Sequence, residues 1–126
     1  MVRLRIAALG AALWIAGQGV GLAAAPDGFA PFWKDFTAAL AKDDKAALAK
    51  MVVLSPALDQ ASPLTFAKFH ADYLGSKTRQ CLVKAKPVRD VDGTGQVNYS
   101  AFCGELDFGF TRAAGAWKLT DVGPND

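Results

Sequence analysis

Residues 97–122, VNYSAFCGELDFGFTRAAGAWKLTDV, carry the pattern on which the fold turns. Val97, Tyr99, Ala101 and Cys103 alternate with Asn98, Ser100 and Phe102. Successive side chains of a strand point to opposite sides, so the first set shares one face. After Gly104 the alternation resumes, with Leu106, Phe108 and Phe110 on one face and Glu105 and Asp107 on the other. Ala113-Ala114-Gly115-Ala116 reads as a turn, and Trp117 to Val122 as a closing strand. A four-residue loop there sets Phe110 opposite Leu119 and Arg112 opposite Trp117.

Toward the N-terminus, Cys81, Val83 and Ala85 alternate with Lys84 and Lys86, which predicts a further strand beginning at Thr78. The stretch Val91-Asp92-Gly93 reads as a three-residue hairpin loop with Gly93 in the left-handed conformation, placing Asp90 opposite Thr94. Extending that register places Cys81 opposite Cys103, at a separation that overlaps the disulfide range. A Cys81–Cys103 bridge is the expectation.

Before Thr78 the period changes to that of helices. Residues 29–41, FAPFWKDFTAALA, space Phe29, Phe32 or Trp33, Phe36 and Leu40 along one helical face. Asp43-Asp44 can cap a short second helix, KAALAKM, with Leu48 and Met51 on its apolar side. Val52-Val53-Leu54 reads either as the tail of that helix or as an extended piece. Ser62 and Pro63 predict the start of a third helix and Gly75 its end. Phe66, Phe69, Tyr73 and Leu74 line its apolar face, with His70 on or beside it, and Lys68 and Asp72 form an exposed i,i+4 pair. The reading is α+β, with N-terminal helices packed on a curved antiparallel sheet of three to four strands.

The chain opens with a basic stretch, Met1-Val2-Arg3-Leu4-Arg5, and carries no charge from Ile6 to Ala25. That pattern predicts a signal peptide over residues 1–25, cut within Ala23 to Ala25, followed by a single domain over residues 26–126. Export to a periplasmic or secreted location follows, with no stable membrane anchor after cleavage. The whole chain holds 14 basic and 12 acidic residues, but Arg3 and Arg5 lie in the signal, leaving the mature part neutral. No basic block survives to bind nucleic acid. Both cysteines lie in the mature part, and in an exported chain an even count favours a disulfide. One His and two Cys make no metal site, and nothing in the residues calls for a cofactor.

Helices followed by an antiparallel sheet, with the helical stretch AALAKDDKAALAKM and the closing strand GAWKLTDVG, resemble the nuclear transport factor two-like superfamily. Phe102-Cys103-Gly104-Glu105 is also similar to a strand of small exported bacterial proteins with this layout. The resemblance implies a cone-shaped α+β fold whose sheet wraps a pocket, an active site in some members and a binding cleft in others. It further implies a homodimer through the opposite sheet surface as one arrangement open to the chain. It carries over no catalytic residue, because the Asp-His constellations of the enzymatic members have no match here.

Among side chains that carry chemistry, His70 is the one that titrates near neutrality unperturbed, and it is either a general base or a half-buried packing residue beside Phe66 and Tyr73. Glu105, Asp107 and Asp121 either converge as paired acid and base or mark the solvated face of the sheet. Phe66, Tyr73, Tyr99, Phe102, Phe108, Phe110 and Trp117 either stack a small apolar ligand or fill the core. The combined reading leans away from an enzyme, toward an exported module that binds a small apolar ligand or a partner protein. The alternative is a small-pocket hydrolase, isomerase or dehydratase using His70 or the sheet carboxylates.

Overall fold

The computed structural model describes residues 27–54 and 65–125. They fall in two compact units, one ending at Trp33 and one running from Lys34. In the first, the Phe29 amide donates to Asp27 Oδ1 (3.0 Å) at the start of helix α1 (Phe29–Lys42), and the Phe29 ring lies 5.7 Å from Phe32 and 5.9 Å from Trp33.

The second unit holds the remainder of α1, then α2 (Lys45–Lys50), α3 (Phe66–Tyr73) and α4 (Ser76–Lys84). An open sheet follows, a meander of β1 (Val88–Val91), β2 (Val97–Cys103), β3 (Leu106–Ala113) and β4 (Ala116–Pro124), each strand antiparallel to the next. The chain is α+β, as its periodicity requires. Phe110 pairs with Leu119 and Arg112 with Trp117 as expected. Ala114 (φ 55°) and Gly115 (φ 83°) both take positive φ at the tip, the conformation a two-residue hairpin needs to match strand twist. A bulge between Gly109 and Phe110 shifts the β3–β4 register.

Burial alternates along β2 as read from the sequence: Tyr99, Ala101 and Cys103 are buried, Phe102 is exposed. On the same inner face Phe108, Phe110 and Leu119 are inaccessible to solvent, and the Phe36 ring of α1 meets Phe110 edge-on at 5.3 Å. Leu48, Phe69, Leu74 and Leu82, one or more from each later helical segment, are equally buried. Each such side chain contributes roughly 1.5–3 kcal/mol relative to exposure. Val52 forms a parallel bridge to Leu119, with Val53 N donating to the Leu119 carbonyl (2.9 Å) and Leu119 N to that of Met51 (2.8 Å). Of the two readings of Val52-Val53-Leu54, the extended one holds.

Three expectations change. The strand predicted from Thr78 is helix α4: the alternation of Cys81, Val83 and Ala85 competed with helical spacing of Thr78, Leu82 and Ala85, and burial of Leu82 decided between them. Val83, placed inward by a strand, is 38% exposed. Gly75 follows Leu74, the C-cap of α3, so the helix ends where it was read to end, but what Gly75 opens is a further helix rather than a strand, since it is the N-cap of α4. Finally, β1 starts at Val88, and Asp90 faces Asn98 rather than Thr94. The intervening loop is longer because Asp92 Oδ1 gathers the Thr94 amide (2.8 Å), the Thr94 hydroxyl (2.6 Å) and the Gln96 amide (3.1 Å), with Gly95 rather than Gly93 at positive φ.

The cysteines still meet. The Cys81–Cys103 bridge spans Cα atoms 5.9 Å apart, but it joins α4 to β2 instead of crossing a strand pair. The export segment over residues 1–25 and the Ser62 and Pro63 start signals lie outside the described residues; within them Thr65 caps α3, its Oγ1 accepting from Lys68 N (3.2 Å). No described helix is long and apolar enough to cross a membrane.

Candidate functional site

The turn between α1 and α2 places a carboxylate where backbone geometry alone would favour glycine. Asp43 N donates to the Leu40 carbonyl (3.1 Å) and Asp44 N to that of Ala39 (2.9 Å), the paired bonds of a Schellman motif. Asp43 occupies its left-handed position with φ 51°. The next residue, Asp44, does the capping expected of the pair, its Oδ1 accepting from Ala47 N (3.1 Å). Asp43 is thereby turned away from α2 and toward α3 and α4.

Asp43 Oδ1 lies 2.7 Å from His70 Nε2 and 3.6 Å from Arg79 Nε. The His70 and Arg79 side chains are mostly buried, at 13% and 19% exposure, while Asp43 keeps 33%. The hydrogen bond from His70 holds the Asp43 carboxyl below its ordinary range, against an opposing cost of desolvation, and the charges of Arg79 and Lys45 add to it. An ionised carboxylate only accepts, so His70 Nε2 is the donor in this pair. Arg79 is held twice, since its Nη1 also donates to the Leu74 carbonyl (2.7 Å). One carboxylate thus ties the first helical turn to both later helices.

Arg79 also borders a cleft of about 360 Å³. Leu40 and Ala41 form one wall at the end of α1. The other wall is a stripe of α4 at helical spacing, with Ser76 and Gln80 toward one end and Val83 and Lys84 toward the other. The Gln80 amide donates to Ser76 Oγ (3.2 Å). Among the described residues no acidic side chain lines the cleft.

The remaining residues singled out by sequence do not assemble into one site. Phe108 and Phe110 are solid core, and Tyr99 and Trp117, edge-on at 5.4 Å, are 7% exposed each. Phe66 and Tyr73 are half-buried on α3, whereas Phe102 is 44% exposed on the other side of the sheet. Glu105 sits in the exposed β2–β3 turn. Asp107 and Asp121 share the outer face of β3 and β4, diagonal to one another, Asp107 opposite Gly123 and Asp121 opposite Gly109. Asp107 Oδ1 is buried with no hydrogen-bond partner among the described residues. Among the described residues no group of three or more His, Cys, Asp or Glu is placed to hold a metal ion.

Sequence reasoning found His70 but neither Asp43, its partner, nor Arg79, which pairs with the same carboxylate. Asp43 read as a cap, although an Asp-Asp pair at a helix end offers one residue for the cap and one for the left-handed position. Arg79 was hidden by the strand reading, which dissolves the helical stripe that aligns it with Ser76 and Val83. No protein-family profile, curated protein or solved structure matches the chain.

Proposed function

We propose that the chain is an exported small-ligand-binding module whose ligand occupies the cleft between α1 and α4. The observation that carries this reading is the cleft itself: a concavity of about 360 Å³ that joins apolar walls to a few polar groups, whereas the inner sheet face is filled. Small-molecule sites commonly measure about 300–1,000 Å³ and have this mixed lining. Export is supported by the N-terminal charge pattern together with the disulfide, which persists in oxidising compartments. The order of elements, helices and then an antiparallel meander, supports kinship with the nuclear transport factor two-like superfamily.

A second reading, a small-pocket enzyme with His70 as general base, is favoured by the 2.7 Å bond to Asp43, since a carboxylate that fixes a histidine tautomer is what such a base needs. Against it, His70 is not among the residues lining the cleft. Mass spectrometry of protein purified natively from the periplasm tests the first reading by identifying retained ligand. His70→Gln then separates the two. As a binding module the variant changes affinity by less than about tenfold, or about 1.4 kcal/mol. A folded variant that loses on the order of a hundredfold or more in turnover establishes the enzyme.

A further inference from the structure

Building on the cleft as the binding site, we propose that its ligand is a small amphipathic carboxylate, anchored head-first on Arg79 with its apolar body against Leu40 and Val83. The lining is electrostatically one-sided, with Arg79 and Lys84 as cations and no acid among the described residues to balance them. Asp43, the carboxylate paired with Arg79, does not line the cleft and is already engaged by His70 and Arg79. Arg79 is also preorganised: Nε faces Asp43, and one of the two Nη1 hydrogens goes to the Leu74 carbonyl. Nη2 has no partner among the described residues, and with the second Nη1 hydrogen it completes a planar fork that matches the two oxygens of a carboxylate.

Ser76 and Gln80 extend the polar end. Their mutual hydrogen bond leaves the Ser76 hydroxyl proton to donate to a carboxylate headgroup and the Gln80 carbonyl to accept from its water. At the other extreme, Leu40 is 1% exposed and forms a fixed apolar wall, while Val83 presents 38% of its surface with no described core contact to account for it. A ligand charged throughout would leave Val83 against water, and a wholly apolar one would bury Arg79 without a new acceptor, which is costly. Charge at one end and hydrocarbon at the other satisfies both walls. The volume of about 360 Å³ holds the ligand to small size.

The test uses octanoate and octanol as matched probes, titrated into the oxidised protein and followed by amide nitrogen–proton correlation spectra. Octanoate is expected to shift the amides of Ser76, Gln80 and Lys84 saturably and to bind on the order of tenfold more tightly than octanol, with added salt weakening octanoate alone. Arg79→Lys keeps the charge but not the fork, and is expected to lose most of the preference while the correlation spectrum remains that of the folded protein. Should that variant unfold, Ser76→Ala, at an exposed position and without the hydroxyl donor of the polar end, must still lower the preference. Equal affinity for the two probes, or a preference that survives both substitutions, overturns the carboxylate assignment and leaves the cleft reading standing. If neither probe moves α4, the cleft reading itself fails.

Discussion

Replacing Cys81 and Cys103 together with alanine tests how far the helical layer depends on its covalent tie to the sheet. The bridge spans a sequence separation of 22, and loop-closure entropy for a loop of that size corresponds to about 3 kcal/mol. Two corrections oppose one another. The closed loop contains the β1–β2 hairpin, and any such pairing retained in the denatured chain reduces the entropy gained by the bridge. Cys103 is 6% exposed, so truncation also removes buried sulfur from between β2 and α4 and adds a small packing loss. The net expectation stays at about 3 kcal/mol, a large share of the roughly 5–15 kcal/mol that holds a domain folded. For a chain of this size that lowers the melting temperature by about 12–24 °C. Urea denaturation of the oxidised wild type and the double alanine variant measures it, with a steeper denaturant dependence expected in the variant as its unfolded state expands. Thiol titration of the unreduced, denatured wild type must find no reactive cysteine. A stability difference below about 1 kcal/mol would refute the reasoning, showing that α4 is held on β2 by Leu82 and its neighbours without help from the bridge.

Three further outcomes are expected. Trp117→Ala removes a ring that is 7% exposed and packs edge-on to Tyr99, and is expected to cost roughly 3–5 kcal/mol in denaturant melts. The Asp43 carboxyl is held below its ordinary value of 3.8, so its stabilising contribution is complete above that value and disappears as pH falls through the lower folded-state pKa; the stability gap between wild type and Asp43→Asn is therefore expected to narrow on acidification below about pH 4. N-terminal sequencing of exported protein is expected to begin within residues 24–26, and recovery of an intact Met1 chain from membranes would identify an anchor instead of a cleaved signal.

Where strands carry one buried and one exposed face, the sequence announces them without ambiguity. In β2 and β3 the buried set Tyr99, Ala101, Cys103, Phe108 and Phe110 falls on alternate positions, and the β3–β4 register follows from the Ala114-Gly115 tip. Residues 76–91 lack that advantage. All of β1 is exposed, so burial writes no alternation into it, and α4 buries only Leu82 fully, too little to outvote the chance alternation of Cys81, Val83 and Ala85. The disulfide was nonetheless legible, because an even cysteine count in a chain read as exported favours a bridge whatever element each cysteine occupies. The cleft was not, since it arises from two helices meeting at residues far apart in the chain.

The same distance separates Asp43 from His70, 27 residues along the chain, and here the backbone supplies the clue that composition lacks. Glycine is the residue most often found at the left-handed position of a Schellman motif, because a Cβ there crowds the neighbouring carbonyl. At Asp43 that crowding is accepted, and the side chain it brings makes a 2.7 Å bond to one helix and an ion pair to another. Glycine would make the turn with less strain but would leave Arg79 held only by the Leu74 carbonyl, free to swing about that single bond. Strain kept where a less strained residue would serve the turn points to a use for the side chain. On the binding reading proposed above, that use is to fix the guanidinium beside the cleft, which would make the left-handed turn at the end of α1 a support of the proposed site without touching its ligand.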